Sequence, residues 1–125
     1  RTTGHALPAP NPYGPLPLHL VLAPGSHSRD RMIRELERGI LVTRFHYVNI
    51  VHPKETIITG MTRDGTFLIE NGAITRPVKN LRFTQSILEA LRRVSALENV
   101  QRLVNNEGMF CLAPTMRIED FAFTS

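Results

Sequence analysis

The sequence predicts an α+β domain, in which an antiparallel β-rich sheet or a partial barrel packs with two amphipathic helices. Three observations predict this class. Segment 40–51 alternates and is rich in β-branched and aromatic residues. The dipeptides Asp64-Gly65 and Asn71-Gly72 accept the positive φ angles of tight hairpin turns. Finally, two segments with apolar residues at helical spacing each follow a capping residue.

Proline is concentrated in the N-terminal segment 1–17. The run 8–17 excludes a helix and predicts an extended, polyproline-like segment. Such a segment acts either as a rigid connector or as a ligand for, or border of, a groove. The apolar run 18–22 then predicts a short buried strand, which ends at the turn signal Pro24-Gly25.

A helix and the longest strand follow. Ser28 stands where an N-cap belongs, and the apolar spacing predicts about three helical turns that end at Gly39. The strand beyond it ends at Pro53. Its odd-numbered face is the more apolar, so Arg44 and His46 are expected to project together from the other face.

Three further strands are predicted as an antiparallel meander. They cover Thr56–Met61, Thr66–Glu70 and Ala73–Arg76, with a hairpin turn between each pair. Pro77 has no amide hydrogen to donate, so pairing should fail or reach a sheet edge there.

The C-terminal part is predicted to hold a helix, a loop and a strand. Thr84 is expected to cap the helix. The apolar side of this helix carries Ile87, Leu88, Leu91 and Val94. That side should pack across the sheet. Residues 98–108 are polar and weakly periodic, which predicts a loop, and 115–125 reads as a strand with a bulge at Glu119-Asp120.

Composition indicates one domain and excludes several classes of function. The net charge of +4 comes from scattered residues, and aromatics make up 6% with no Trp, so nucleic-acid binding is not expected. No apolar run approaches the ~20 residues that span a bilayer. A single cysteine cannot form an internal disulfide, which favours the cytoplasm. Since the chain begins with Arg1, we expect residues 1–125 to be a domain excised from a larger protein.

Four stretches carry a resemblance to a known family. They read TTGHALPAPNPYGPLP, GILVTRFHYVN, ITGMTRDGTFLIENGAITRPVKNLRFTQSILEAL and CLAPTMRIEDFAFTS, and together they cover most of the chain. On these words the chain resembles the C-terminal part of the TldD/PmbA family. That family comprises two-domain bacterial and archaeal proteins described as zinc metallopeptidases and as modulators of DNA gyrase.

The resemblance implies a role for Cys111. In catalytic members, two histidines of a His-Glu-x-x-x-His helix in the preceding domain bind zinc, and a cysteine near the C-terminus is the third ligand. Cys111 stands in the corresponding place. The five histidines of this chain have no such spacing, so the fragment alone is expected to bind no zinc and to be inactive. The alternative for a lone cysteine between Phe110 and Leu112 is a small buried apolar residue.

The resemblance also implies a substrate and partners. Small or unfolded peptides would be hydrolysed in a chamber between paired subunits. This domain would supply groove wall, a zinc ligand and contacts to its own N-terminal domain and to a homo- or hetero-oligomer partner. Arg44 and His46 are candidates for holding a peptide carboxylate or polarising a carbonyl, and the alternative is a solvated strand face. The other hypothesis for the whole chain is a noncatalytic binding or assembly module, an inactive paralogue or gyrase modulator.

Overall fold

The computed structural model describes residues 5–12, 14–106 and 109–124. Nine helices and strands and one 3-10 turn, Pro53–Glu55, are found in this part of the chain. In chain order they are β1 (His19–Val21), α1 (Arg29–Arg34), β2 (Arg38–His52), β3 (Ile57–Glu70), β4 (Ala73–Pro77), β5 (Arg82–Ser86), α2 (Ile87–Arg92), β6 (Val94–Asn106) and β7 (Met109–Ile118).

The strands form two sheets, and the α+β, antiparallel β-rich prediction is confirmed. One sheet has the order β1-β7-β6, in which β1 runs parallel to β7 and β6 antiparallel to it. In the other sheet β3 is central, and β2 pairs with one of its edges. Strands β4 and β5 pair with the opposite edge of β3, at residues 67–70 and 57–61, respectively. The described strands do not close into a barrel. No described strand pairs with the outer edge of β2.

Helix α1 begins as predicted and ends early. The Ser28 hydroxyl accepts a hydrogen bond from the Arg31 amide at 3.2 Å, so it is the N-cap. The predicted three turns are wrong, since the helix ends at Arg34. The carbonyls of Leu36 and Glu37 accept hydrogen bonds from the amides of residues 72 and 71 instead of from a further helical turn.

The Asp64-Gly65 dipeptide does not form the predicted hairpin. Strand β3 runs through it without interruption, and β2 pairs along the length of β3. Both residues have positive φ, 60° and 131°, but they form a bulge in which the pair lies opposite Thr43 alone. The Thr43 hydroxyl contacts the carbonyls of Arg63 and Gly65 at 3.1 and 2.9 Å and so fills the bulge.

The Asn71-Gly72 hairpin is present as predicted. Both residues have positive φ, and Glu70 pairs with Ala73 across the turn. Strand β4 lies at the edge of its sheet and ends at Pro77, where the missing amide hydrogen does no harm.

The cap and the packing of α2 differ from the prediction. Ser86, not Thr84, is the N-cap, and Thr84 lies within β5. The Ser86 hydroxyl also contacts the Glu55 carbonyl, which ties the helix start to the 3-10 turn. The apolar side does not pack across a sheet, because only Ala90 is buried, and Val94 already belongs to β6. The exposed members of that side are Ile87, Leu88 and Leu91.

Residues 98–106 form most of strand β6, so the predicted loop is wrong there. Pairing with β7 extends the strand to Asn106, and the remainder of the predicted loop, 107–108, lies outside the described residues. Residues 99, 100 and 102–105 of this strand are exposed, so polar side chains are tolerated there, whereas Ala96 and Glu98 nearer its start are buried. The predicted bulge at Glu119-Asp120 is a turn that ends β7.

Strand β1 is exposed rather than buried. It spans three residues, and Leu20 and Val21 expose 53% and 72% of their surface. The prediction failed because β1 is an edge strand, paired only with β7 among the described strands, and its side chains remain largely in contact with water. The segment before it contains no helix or strand among its described residues, and it folds back through a hydrogen bond from the Leu16 amide to the His5 carbonyl.

The aromatic part of the core lies on one face of the β2-β3-β5 sheet, while Met32 of α1 and Ala96 of β6 are buried elsewhere in the domain. Phe83 is 1% exposed, and its ring centroid lies 4.7 Å from that of Phe45 and 5.4 Å from that of Phe121. Phe123 extends this cluster from the C-terminal segment. With Phe45 directed into the core, the alternate residues of β2 face away from it. Among the described residues, no helix is long and apolar enough to cross a membrane.

Candidate functional site

Cys111 lies in β7, the central strand of the three-stranded sheet. It pairs with Leu20 of β1 on one side and with Val104 of β6 on the other. Residues directly opposite each other project from the same face of a sheet, so these three side chains form one row. Cys111 is half-buried, and its cross-strand neighbours Leu20 and Val104 are about half exposed.

The cross-strand row of Cys111 is apolar, whereas Arg102, paired with Ala113, lies in the next row on the same face. Met109 lies two residues earlier in β7, on the same face, and exposes 39% of its surface. We call Leu20, Val104, Met109 and Cys111 the Cys111 face. An exposed apolar surface of this kind is typical of an interface with another part of a protein.

The described residues do not complete a zinc site around Cys111. A catalytic zinc takes three protein ligands, and no group of three His, Cys, Asp or Glu residues is placed to hold a metal in the described part. The histidine nearest in register is His19. It pairs with Phe110, their ring centroids lie 5.9 Å apart, and both face away from the Cys111 side. Any further ligand would have to lie outside the described residues.

The second region of interest is the outer face of the β2-β3-β5 sheet. His46, Met61 and Arg82 form one cross-strand row, and Arg44 and Arg63 form the next row between β2 and β3. The predicted common face of Arg44 and His46 is therefore consistent with the register. We call these five residues the arginine face.

The three arginines of this face are not equivalent. Arg44 is paired with Asp64, whose Oδ2 lies 2.9 Å from its Nη1. Arg63 and Arg82 are exposed, and no carboxylate of the described residues lies within ion-pair distance of them. The face thus presents two unneutralised guanidinium groups. Sequence reasoning missed both because their proximity depends on strand register.

A shallow cavity adjoins the arginine face. It measures about 120 Å³, and Tyr47, Asn49, Thr59, Gly60, Met61 and Arg82 line it. A bulge in β2 creates it, because two residues, Tyr47 and Val48, lie opposite Gly60. The bulge also corrects the predicted alternation of β2, since Tyr47 is 77% exposed instead of sharing the core face with Phe45.

The comparison with protein families decides the identity of the fold. The model of the PmbA/TldA metallopeptidase C-terminal domain matches residues 1–125. The chain belongs to this family. The resemblance inferred from the sequence is therefore confirmed, while the zinc ligand and the substrate groove are not addressed by the match.

Solved structures share the fold of this family member. TldE from Thermococcus kodakarensis superposes with a TM-score of 0.73 at 20% identity over 84% of this chain. A candidate modulator of DNA gyrase from Thermotoga maritima superposes with a TM-score of 0.74 at 21% identity over 90% of this chain. A second candidate modulator, from Bacteroides thetaiotaomicron, superposes with a TM-score of 0.68 at 28% identity over 83% of this chain. The chain spans only 23%, 25% and 22% of these three proteins, respectively.

Proposed function

We propose that this chain is the C-terminal domain of a zinc-dependent peptidase and that it contributes Cys111 as one metal ligand. The observation that carries the proposal is the position of Cys111 in the middle of an exposed apolar sheet face of a metallopeptidase-family domain. Such a face needs a cover, and the rest of the protein would provide it together with the remaining ligands.

The contribution of this chain is to bind and position. Cysteine binds zinc as the thiolate, and bound zinc in peptidases supplies a water molecule whose pKa is lowered towards neutrality. Since β7 is paired on both sides, it would hold the Cys111 sulfur in a fixed position. A reducing compartment, such as the cytoplasm, is part of the proposal because an oxidised cysteine could not serve as ligand.

The substrate in this proposal is an extended peptide. The outer edge of β2 carries backbone groups that no described strand satisfies, and an edge of this kind accepts a peptide as an added strand. Main-chain hydrogen bonds would give affinity with little dependence on sequence. Arg44 and His46 lie on the same strand and would bind polar groups of the peptide. Contacts with an oligomer partner would close the groove.

The test is the zinc content and peptide hydrolysis of the full-length protein with Cys111→Ala. We expect the variant to lose both, since a site of three ligands retains little affinity with two. Val104→Ala is the matched control, because it truncates a neighbouring side chain of the same face without removing a ligand. Retention of zinc and activity by Cys111→Ala would contradict the proposal.

The apolar row around Cys111 favours one second candidate. With Leu20 and Val104 beside it and no further ligand in the described residues, Cys111 is also placed to act as a small apolar contact residue. The domain would then be a noncatalytic binding or assembly module, which accords with the gyrase-modulator description of two similar structures. This candidate replaces the first if the full-length protein binds no zinc and cleaves no peptide.

A further inference from the structure

We propose that the arginine face binds a carboxylate group of the peptide, with Arg63 and Arg82 as the donors. The cavity beside Tyr47 would receive the part of the peptide that carries this group. The inference rests on the proposed function for the class of ligand, and it adds the chemical group recognised and the residues that recognise it.

The charge arrangement is the first observation. Arg44 and Arg63 lie directly opposite each other on paired strands, an arrangement that destabilises a sheet when both residues carry the same charge. Asp64 neutralises only Arg44. Arg82 belongs to the adjacent row on the same face, within reach of long side chains. An anion bound between Arg63 and Arg82 would relieve this repulsion.

The geometry of the bulge is the second observation. Tyr47 has a φ of 53°, which is uncommon for a residue with a bulky side chain, and yet its ring is exposed instead of filling the core. The side-chain amide of Asn49 donates through Nδ2 to the Tyr47 carbonyl at 2.9 Å and holds the bulge in place. The result is that Tyr47, whose side chain is exposed, and Arg82 line the same cavity.

The size of the site favours a carboxylate over a nucleic acid. The cavity of about 120 Å³ has room for a few water molecules, which one small side chain or a chain terminus would replace. Guanidinium binds carboxylate through two parallel hydrogen bonds. A nucleic acid would instead require a stripe of cations along the surface, and the carboxylate of Asp64 interrupts this face.

The experiment measures binding of unlabelled, N-acetylated peptides to the full-length protein by isothermal titration calorimetry. Excess chelator is present, so that hydrolysis cannot occur and no metal is required. The probes are hexa-alanine with a free C-terminal carboxylate, the same peptide as its amide, and an amidated peptide in which one alanine is replaced by glutamate. The protein variants are Arg63→Gln and Arg82→Gln. Arg29→Gln, which removes an exposed charge on α1, is the matched control.

We expect each of the two glutamine variants to weaken binding of the carboxylate peptides by about tenfold, and Arg29→Gln to leave it unchanged. The hexa-alanine amide should bind the unmodified protein about as weakly as hexa-alanine with a free carboxylate binds Arg63→Gln or Arg82→Gln. Tight binding of the free acid alone identifies a C-terminal carboxylate as the ligand. Tight binding of the glutamate peptide as well identifies any peptide carboxylate.

Any of the following results would overturn the inference. They are equal binding of all three peptides, no binding of any, or unchanged binding in Arg63→Gln or in Arg82→Gln. The inference would also fail if a single-stranded oligonucleotide bound as tightly as the carboxylate peptides and lost this binding in the same variants. Thermal unfolding of the variants checks that they are folded, and Arg82→Lys, which keeps the charge but not the paired donors, should show intermediate affinity. If the full-length protein binds no zinc and hydrolyses no peptide but still binds carboxylate peptides selectively, this inference holds and the proposed function fails.

Discussion

Glu98 and Arg102 form a two-pronged ion pair across the irregular part of β6. Arg102 Nη1 lies 2.5 Å from Glu98 Oε2, and Nη2 lies 2.9 Å from Oε1. The Glu98 side chain is only 5% exposed. Its backbone carbonyl accepts a hydrogen bond from the Gly25 amide at 2.9 Å, so the pair stabilises the contact between β6 and the loop before α1.

This pair predicts that the β6 region loses stability in acid. The hydrogen bond from Arg102 holds the pKa of Glu98 at about 2, below the usual 4.5, in spite of the opposing effect of burial. The ionised carboxylate therefore stabilises the fold above pH 4.5, and this contribution is lost as the pH falls from about 4.5 towards 2. Hydrogen exchange of β6 amides in the full-length protein should accelerate over that range beyond the intrinsic pH effect.

The variant Glu98→Gln identifies the source of this acid sensitivity. It should weaken protection of the β6 amides at neutral pH and remove the additional loss below pH 4.5. Glu89→Gln, which removes an exposed carboxylate from an ion pair on α2, is the control and should leave the acid-dependent loss intact. An undiminished acid-dependent loss in Glu98→Gln would show that another group is responsible.

The bulge at Gly65 predicts a large cost for a single added methyl group. Gly65 has a φ of 131°, and a Cβ there would lie 2.8 Å from the Phe67 ring. Gly65→Ala should therefore destabilise the fold by about 3 kcal/mol through backbone strain and steric overlap. Gly14→Ala is the control: Gly14 also has positive φ, but a Cβ there meets nothing within 4 Å, so only strain of about 1 kcal/mol is expected. Denaturant unfolding of the full-length protein measures both, and equal costs would rule out the overlap.

The N-cap of α2 provides a direct comparison between two neighbouring hydroxyls. Ser86→Ala should cost about 1 kcal/mol, because its hydroxyl accepts from the Glu89 amide and also contacts the Glu55 carbonyl. Thr84→Ala should cost no more than about 0.5 kcal/mol, since this residue is exposed in β5. Thermal unfolding of both variants is the measurement. A larger loss for Thr84→Ala would mean that the helix begins two residues earlier.

Local signals predicted some elements correctly. The long strand β2, the Ser28 cap and the Asn71-Gly72 hairpin each depend on a few adjacent residues. Asp64-Gly65 carries the same signal as a hairpin and forms a bulge, because positive φ suits both geometries. The pairing of distant β2 residues decides between them.

The candidate sites likewise combine features that a local pattern predicts with features that depend on strand pairing. The common face of Arg44 and His46 follows from alternation within one strand and was predicted. Arg63 and Arg82 join them only through the register of β3 with β2 and β5, which no local pattern contains. The apolar row around Cys111 likewise depends on the pairing of β7 with strands from both ends of the chain.

Zinc binding by Cys111 is tested by its alkylation rate in the full-length native protein, measured by mass spectrometry of the peptide that contains it. The rate is compared between zinc-loaded and chelator-treated samples, with denatured protein as the reference for full reactivity. Zinc bound to the thiolate should make alkylation slow, and removal of the metal should restore it. Equal rates with and without zinc would contradict the role of Cys111 as a ligand.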